Sequence, residues 1–231
     1  RIEVVRGPQG PVQGQTSPAG AIVLHTRKPN MQGKVEGYVG TTVGENNAFS
    51  TQAAIDIPMI DNTLAIRFAA NYDENEMDGI TNINTGTKQS SRSNAGRITI
   101  VWEPTDTLST SLTHEYSEQD LNDFRDMAGT DLLGNGNPDL GTYDRKGLNQ
   151  LDAVFEKRNR LTVLNVDWEI LGHQLTSISG YQDVDQFDAR DIDRANYSPA
   201  SQLQQAPIEY DIFSQEIRLS SIEPAFWEYI V

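Results

Sequence analysis

The groups with which this sequence could do hydrolytic or metal chemistry are three histidines, His25, His114 and His173, and a large excess of carboxylates, 33 Asp and Glu against 18 Lys and Arg. The histidines stand far apart, none belongs to an H-x-x-x-H pair, and the chain has no cysteine, so a catalytic zinc set has no nucleus. His25 reads as a packing or wall residue and His114 as an amphipathic side chain near an interface. G-x-S-x-G, P-loop and dinucleotide-binding fingerprints are absent. Asp183, Asp185, Asp188, Asp191 and Asp193 include pairs that could act as acid and base in a glycosidase, but a charge run of this kind reads first as a hydrated loop. Asp131, Asn135, Asn137 and Asp139 offer oxygen ligands to a divalent cation, at a spacing that misses the EF-hand pattern. The expectation is a protein that is not an enzyme, with no catalytic residue, no metal centre and no cofactor.

What positions the polar groups is a series of strands. The net charge of -15 excludes a nucleic-acid partner, since phosphate binding needs a basic face. No apolar run has the length of a membrane-spanning helix, which is no argument against strands that meet lipid on one side only. Period-two segments occupy 33–43, 49–57, 64–72, 97–102, 108–116, 162–168, 174–182 and 213–220, and a ninth begins at Phe226. One face of these segments carries Phe49, Ile55, Ile66, Phe68, Ile98, Ile100, Leu164 and Phe213. The other carries Asp56, Arg67, Arg97, Glu115, Asp167, Glu216 and Arg218. A small closed barrel fills its interior with apolar side chains, so these charges predict a lumen that holds water or a polar plug.

The connections separate two all-β architectures. Tight turns at 58–62, 103–107, 169–172 and 223–225 alternate with long polar excursions at 73–92, 117–158 and 183–210. A soluble β-sandwich gives the same alternation along its strands, but short turns on one rim and long loops on the other are the pattern of an outer-membrane barrel. Trp102, Trp168 and Trp227 each sit beside a short turn, and Tyr72, Tyr116 and Tyr181 each precede a long loop. That spacing predicts two aromatic girdles, one per interface.

The N-terminal residues carry the most specific pattern. Arg1-Ile2-Glu3-Val4-Val5-Arg6-Gly7-Pro8-Gln9-Gly10, followed by Pro18-Ala19-Gly20-Ala21-Ile22-Val23-Leu24-His25-Thr26-Arg27-Lys28-Pro29, resembles the end of the plug domain of TonB-dependent outer-membrane receptors. There a strand reading I-E-V-x-R-G-P precedes a glycine turn and a second strand that closes on T-[KR]-x-P. The matching positions are Arg6, Gly7, Pro8, Gly10, Gly14, Gly20, Thr26 and Pro29. Gln13-Gly14-Gln15 and Ala19-Gly20 depart from the commoner Tyr-Gly-basic and Gly-Gly, and leave the glycine-dependent turns in place.

The resemblance implies a plug end over residues 1–30 and the opening part of a transmembrane antiparallel barrel over 31–231, about eight of roughly twenty-two strands. The chain reads as an internal fragment, with signal peptide and TonB box upstream. It further implies a protein of the Gram-negative outer membrane that meets lipid and binds a scarce small-molecule nutrient: a ferric siderophore, vitamin B12, haem, a glycan or a polyphenol. Import would be driven by the TonB-ExbB-ExbD complex. Acidic loops disfavour polyanionic cargo. Arg6 is the expected contact to a wall carboxylate. A passive porin remains as an alternative, and a soluble β-sandwich binding module or glycosidase as another.

Overall fold

The computed structural model describes residues 2–7, 19–123, 136, 138–141, 143–191 and 203–222. These are all-β. A two-stranded antiparallel hairpin of β1 (Ile2–Arg6) and β2 (Gly20–Leu24) stands before the main sheet. Gly20 pairs with Arg6 at φ +118, and a Cβ there would lie 2.4 Å from the Val5 carbonyl oxygen. Only glycine brings the two backbones this close.

The main sheet has eight antiparallel strands in the order β3 (Glu36–Val43), β4 (Phe49–Ile60), β5 (Leu64–Asn75), β7 (Ser90–Thr105), β8 (Leu108–Asn122), β10 (Val154–Ile170), β11 (His173–Asp191) and β12 (Leu203–Ser221). Each pairs with its sequence neighbour, a meander, as the alternation predicted. Two of the short connections turn through the left-handed region. Leu171 and Gly172, between β10 and β11, have φ of 52° and 80°, the signature of a two-residue hairpin that matches strand twist. Asn62, between β4 and β5, has φ 55°.

At the other rim two long connections fold against each other. Short strands β6 (Thr81–Asn82) and β9 (Lys146–Gly147) pair in parallel. Leu140 and Leu148, both in the connection between β8 and β10, form a buried apolar pair. Gln89, 2% exposed, accepts from the Asp78 and Ile80 amides through Oε1 and donates through Nε2 to Asp123 at 3.2 Å. Asp152 gathers Asn82 Nδ2 at 3.2 Å, the Thr85 hydroxyl at 2.7 Å and the Thr87 hydroxyl.

The strands run further than the sequence reading placed them. β11 and β12 are 19 residues each, and Asp183, Asp185, Asp188 and Asp191 lie on β11, not in a loop. In these outer ends polar residues stand on both faces, as Asp183 and Asp185 do on one and Gln186 and Asp188 on the other, so alternation disappears from the sequence while the backbone ladder continues. Asp193, most of the 131–139 segment, Trp227 and the strand expected from Phe226 lie outside the described residues.

Candidate functional site

Side chains of directly paired residues share a face, so the register assigns every position. Arg67, Arg97, Glu115, Asp167, Glu216 and Arg218 all project from one side of the sheet, here called inward. Arg67 donates to Asp56 at 2.6 Å from the adjacent strand, and both are buried. Arg97 bonds Glu115, again directly across a ladder, and Arg218 bonds Glu216 two residues along β12. Asp167 accepts from Thr176 at 2.7 Å. A half-buried charge is tolerable when paired, and this face pairs its charges across the ladder or, on β12, along the strand.

The segment leaving the hairpin lies on this side. Arg27 approaches the Asp56 carboxylate at 3.7 Å, Pro29 is buried, and the Met31 carbonyl accepts from the Asn62 amide at 3.0 Å in the β4–β5 turn. The hairpin segment thus meets the wall carboxylate Asp56 through Arg27, a residue that the sequence reading did not single out. Its signal was available: Arg27 sits in the T-[KR]-x-P stretch, one step before the chain joins the wall. Gly7 has φ 84° directly after β1, and Thr26 follows β2. Pro8, Gly10 and Gly14 lie outside the described residues. His25 approaches Glu3 at 3.4 Å across the hairpin.

The opposite, outward side is apolar and exposed: Ile55, Phe68, Leu164, Ile217 and Phe213 all show more than a third of their surface. Its tyrosines and tryptophans fall on two lines. Tyr72 pairs through Asn94 with Glu118, and Tyr116 lies two residues further toward the short-turn rim. Tyr116 pairs through Arg160 with Asp183, and Tyr181 lies two residues further the same way. Trp102 pairs through Thr110 with Val166, and Trp168 again lies two residues further. Each line therefore falls one residue per strand. With about 3.3 Å per residue and about 4.8 Å between strands, that slope is a tilt of about 35°, which closed barrels adopt. The two lines are parallel, so strands tilted by this angle present both as level rings.

Above the tyrosine line the outward side becomes charged. Arg160 bonds Asp183 and approaches Asp185 at 3.5 Å, and Arg158 donates to Glu118 at 3.0 Å. The Arg158 bond, with a second from Asn94, holds the Glu118 carboxyl below its usual range. Lys88 at 3.0 Å, then Asn47, does the same for Glu76 in the loop after β5. His114 also faces outward, its Nδ1 2.9 Å from the Thr162 hydroxyl. Among the described residues no three His, Asp or Glu side chains converge as a metal site.

No protein-family profile matches the chain. Solved structures do match it in fold. The ferric yersiniabactin uptake receptor FyuA from Yersinia pestis superposes with a TM-score of 0.75 at 17% identity, over 97% of this chain and 33% of that one. FpvAI, solved in complex with pyocin S2, gives 0.68 at 13% identity over 95% of this chain and 28% of that one. A mutant of the ferric enterobactin receptor PfeA from Pseudomonas aeruginosa gives 0.62 at 11%, over 95% and 32%. The chain spans about a third of the length of the solved chains it matches.

Proposed function

We propose, for a chain that has the fold of a segment of a TonB-dependent receptor, that it is the plug end (1–30) and the opening wall (31–231) of an outer-membrane transporter. The cargo is a ferric chelate of the siderophore class, the kind named for FyuA and PfeA. The outward side meets lipid, with the tryptophan line at the periplasmic interface and the tyrosine line at the outer one. Between the lines lie about seven residues of tilted strand, roughly 20 Å of depth, suited to a thin outer membrane. The inward ion pairs line an aqueous lumen, and the long connections at the far rim face the medium, where cargo is captured.

The reading has mechanical content. Arg27, 63% exposed, holds the exit of the hairpin against Asp56 through one long ion pair, whereas Asp56 is gripped by buried Arg67. Force on the plug from the TonB-ExbB-ExbD complex would then break the Arg27 contact while the wall keeps its own pair. Import is displacement of a gate after binding, with no covalent step.

The observation that supports this most is the fold match over nearly the whole chain, hairpin and wall together, to receptors of that class. The experiment is uptake of radiolabelled ferric chelates by cells expressing the full-length protein, with and without TonB. Uptake that saturates and vanishes without TonB is expected. Uptake that persists without TonB overturns the reading and leaves a passive porin.

A further inference from the structure

In the connection after β5, the turn 82–87 closes on itself: the Asn82 amide donates to the Thr87 carbonyl at 2.8 Å, and the Gly86 amide, at φ 76°, to the Asn82 carbonyl at 2.7 Å. Closed in this way, the turn aims three donors at one point. Asn82 Nδ2 and the hydroxyls of Thr85 and Thr87 all end on the same oxygen, Oδ1 of Asp152, which lies 65 to 70 positions away in sequence. One connection thus builds a receptor for a carboxylate that the other supplies.

Further bonds run beside this junction. The Thr81 and Ile83 amides donate to the Arg145 and Gly147 carbonyls at 2.9 and 3.0 Å, and Asn84 Nδ2 reaches the carbonyls of Leu148 and Asn149 at 2.6 and 3.2 Å. On its other side the connection after β5 is fastened to the β3–β4 turn. There the Glu76 amide donates to the Asn46 carbonyl at 2.8 Å, and Asn46 Nδ2 to the Met77 carbonyl at 2.7 Å. The Gln150 amide donates to Asp191, at the end of β11, at 2.7 Å. The interior of this assembly is polar, with Asn82, Gln89, Asn149 and Asp191 at most 4% exposed. Its opening is therefore governed by hydrogen bonds, of which those to a charged group are the stronger.

We infer that these two connections open and close as one cooperative unit, preformed in the cargo-free protein, with Asp152 as the positioning residue that couples its halves. Independent surface loops would open separately. A shared carboxylate removes that freedom, because the turn 82–87 cannot part from Asp152 without giving up three donors at once. Without Asp152 the turn keeps its own backbone bonds but loses what seats it on the neighbouring connection. The unit stands on the rim that the proposed function turns to the medium, and only its use in capture rests on that reading.

The test is amide hydrogen exchange of the full-length protein in phosphatidylcholine vesicles, without cargo, read on peptides over 80–89 and 145–152. In wild type the slowest amides of both should share one opening free energy. Asp152→Ala should speed exchange of both by about tenfold or more, and the reciprocal variant Thr85→Val/Thr87→Val should do the same to 145–152 although it alters nothing there. Asp152→Asn, which keeps an acceptor oxygen, should fall between. Peptides over 161–168 of β10 should stay unchanged in every variant, which shows that the wall has folded. Different opening free energies for the two connections in wild type, or variants that speed only the connection they lie in, would overturn the inference. Exchange is read without uptake, so import that persists without TonB would defeat the proposed function and leave this result standing.

Discussion

Leu164 and Asn165 are neighbours on β10 at nearly the same depth, yet they face different surroundings. Leu164 is paired with Leu112 on the outward side, whereas Asn165 donates to Ser111 at 3.3 Å on the inward one. The same contrast holds between Ile66 and Arg67 on β5, and between Ile217 and Glu216 or Arg218 on β12. Between the two aromatic lines the outward rows are mostly apolar and exposed. Inward rows vary with what lies opposite: where the segment after the hairpin lies on the wall, Ala65 and Val101 are almost wholly buried and Asp56 is nearly so. Further round, Glu216 and Arg218 are half-buried and pair with each other.

The contrast breaks most sharply at the buried pair. Arg67→Ala leaves the Asp56 carboxylate without its 2.6 Å partner and should cost about 3 to 5 kcal/mol, read as a loss of urea midpoint in vesicles. The double variant Asp56→Ala/Arg67→Ala should recover much of that loss, because no charge is stranded.

Next comes the pair of neighbours. Leu164→Arg should cost about 2 to 4 kcal/mol near the bilayer midplane, and Asn165→Arg on the inward side less than about 1 kcal/mol. Thr99 would be a poor inward comparison, since it is 4% exposed and directly opposite Arg67. Equal costs at 164 and 165 would abolish the distinction between the faces.

A smaller effect is expected at the sheet edge. A Cβ on Gly37 of β3 would lie 2.8 Å from the Ala54 carbonyl oxygen, so Gly37→Ala should cost about 1 to 3 kcal/mol by overpacking. Gly96→Ala, with nothing near its Cβ, should leave the midpoint in phosphatidylcholine unchanged.

The smallest effect is electrostatic. Because Arg158 lowers the Glu118 carboxyl below its ordinary value of 4.5, the pair stabilises the folded state above that pH. The contribution fades as pH falls through the depressed folded value. Arg158→Gln should therefore lower the midpoint at pH 7 and converge on wild type below about pH 4. A difference that persists at low pH would assign the loss to packing.

The sequence exposed the sheet, its strand count and both faces, because an apolar face opposite a polar one imposes period two and the tight turns carry distinctive residues. The outer halves of the strands were hidden: on β11, Asp183 and Asp185 stand on the outward face, where the alternation calls for apolar residues. Arg27 was missed for another reason, since its partner Asp56 is 29 positions away and only strand pairing brings them together. The tyrosine and tryptophan lines were visible as residues, but their common slope needed the register.

These 231 residues contain no cysteine, so single cysteines introduced among them can be spin-labelled once any cysteine elsewhere in the full-length protein is replaced. The most direct measurement is a nitroxide scan of 161–168 on β10 and 97–102 on β7 in the membrane-embedded full-length protein, comparing access to oxygen with access to a water-soluble nickel chelate. Oxygen access should alternate with period two, highest at Ile98, Ile100, Leu164 and Val166. Its depth profile should be displaced by two residues between the two strands, as the Trp102 and Trp168 positions require. Chelate access that is equal on both faces, or a profile without that displacement, would contradict a tilted wall with lipid on one side and water on the other.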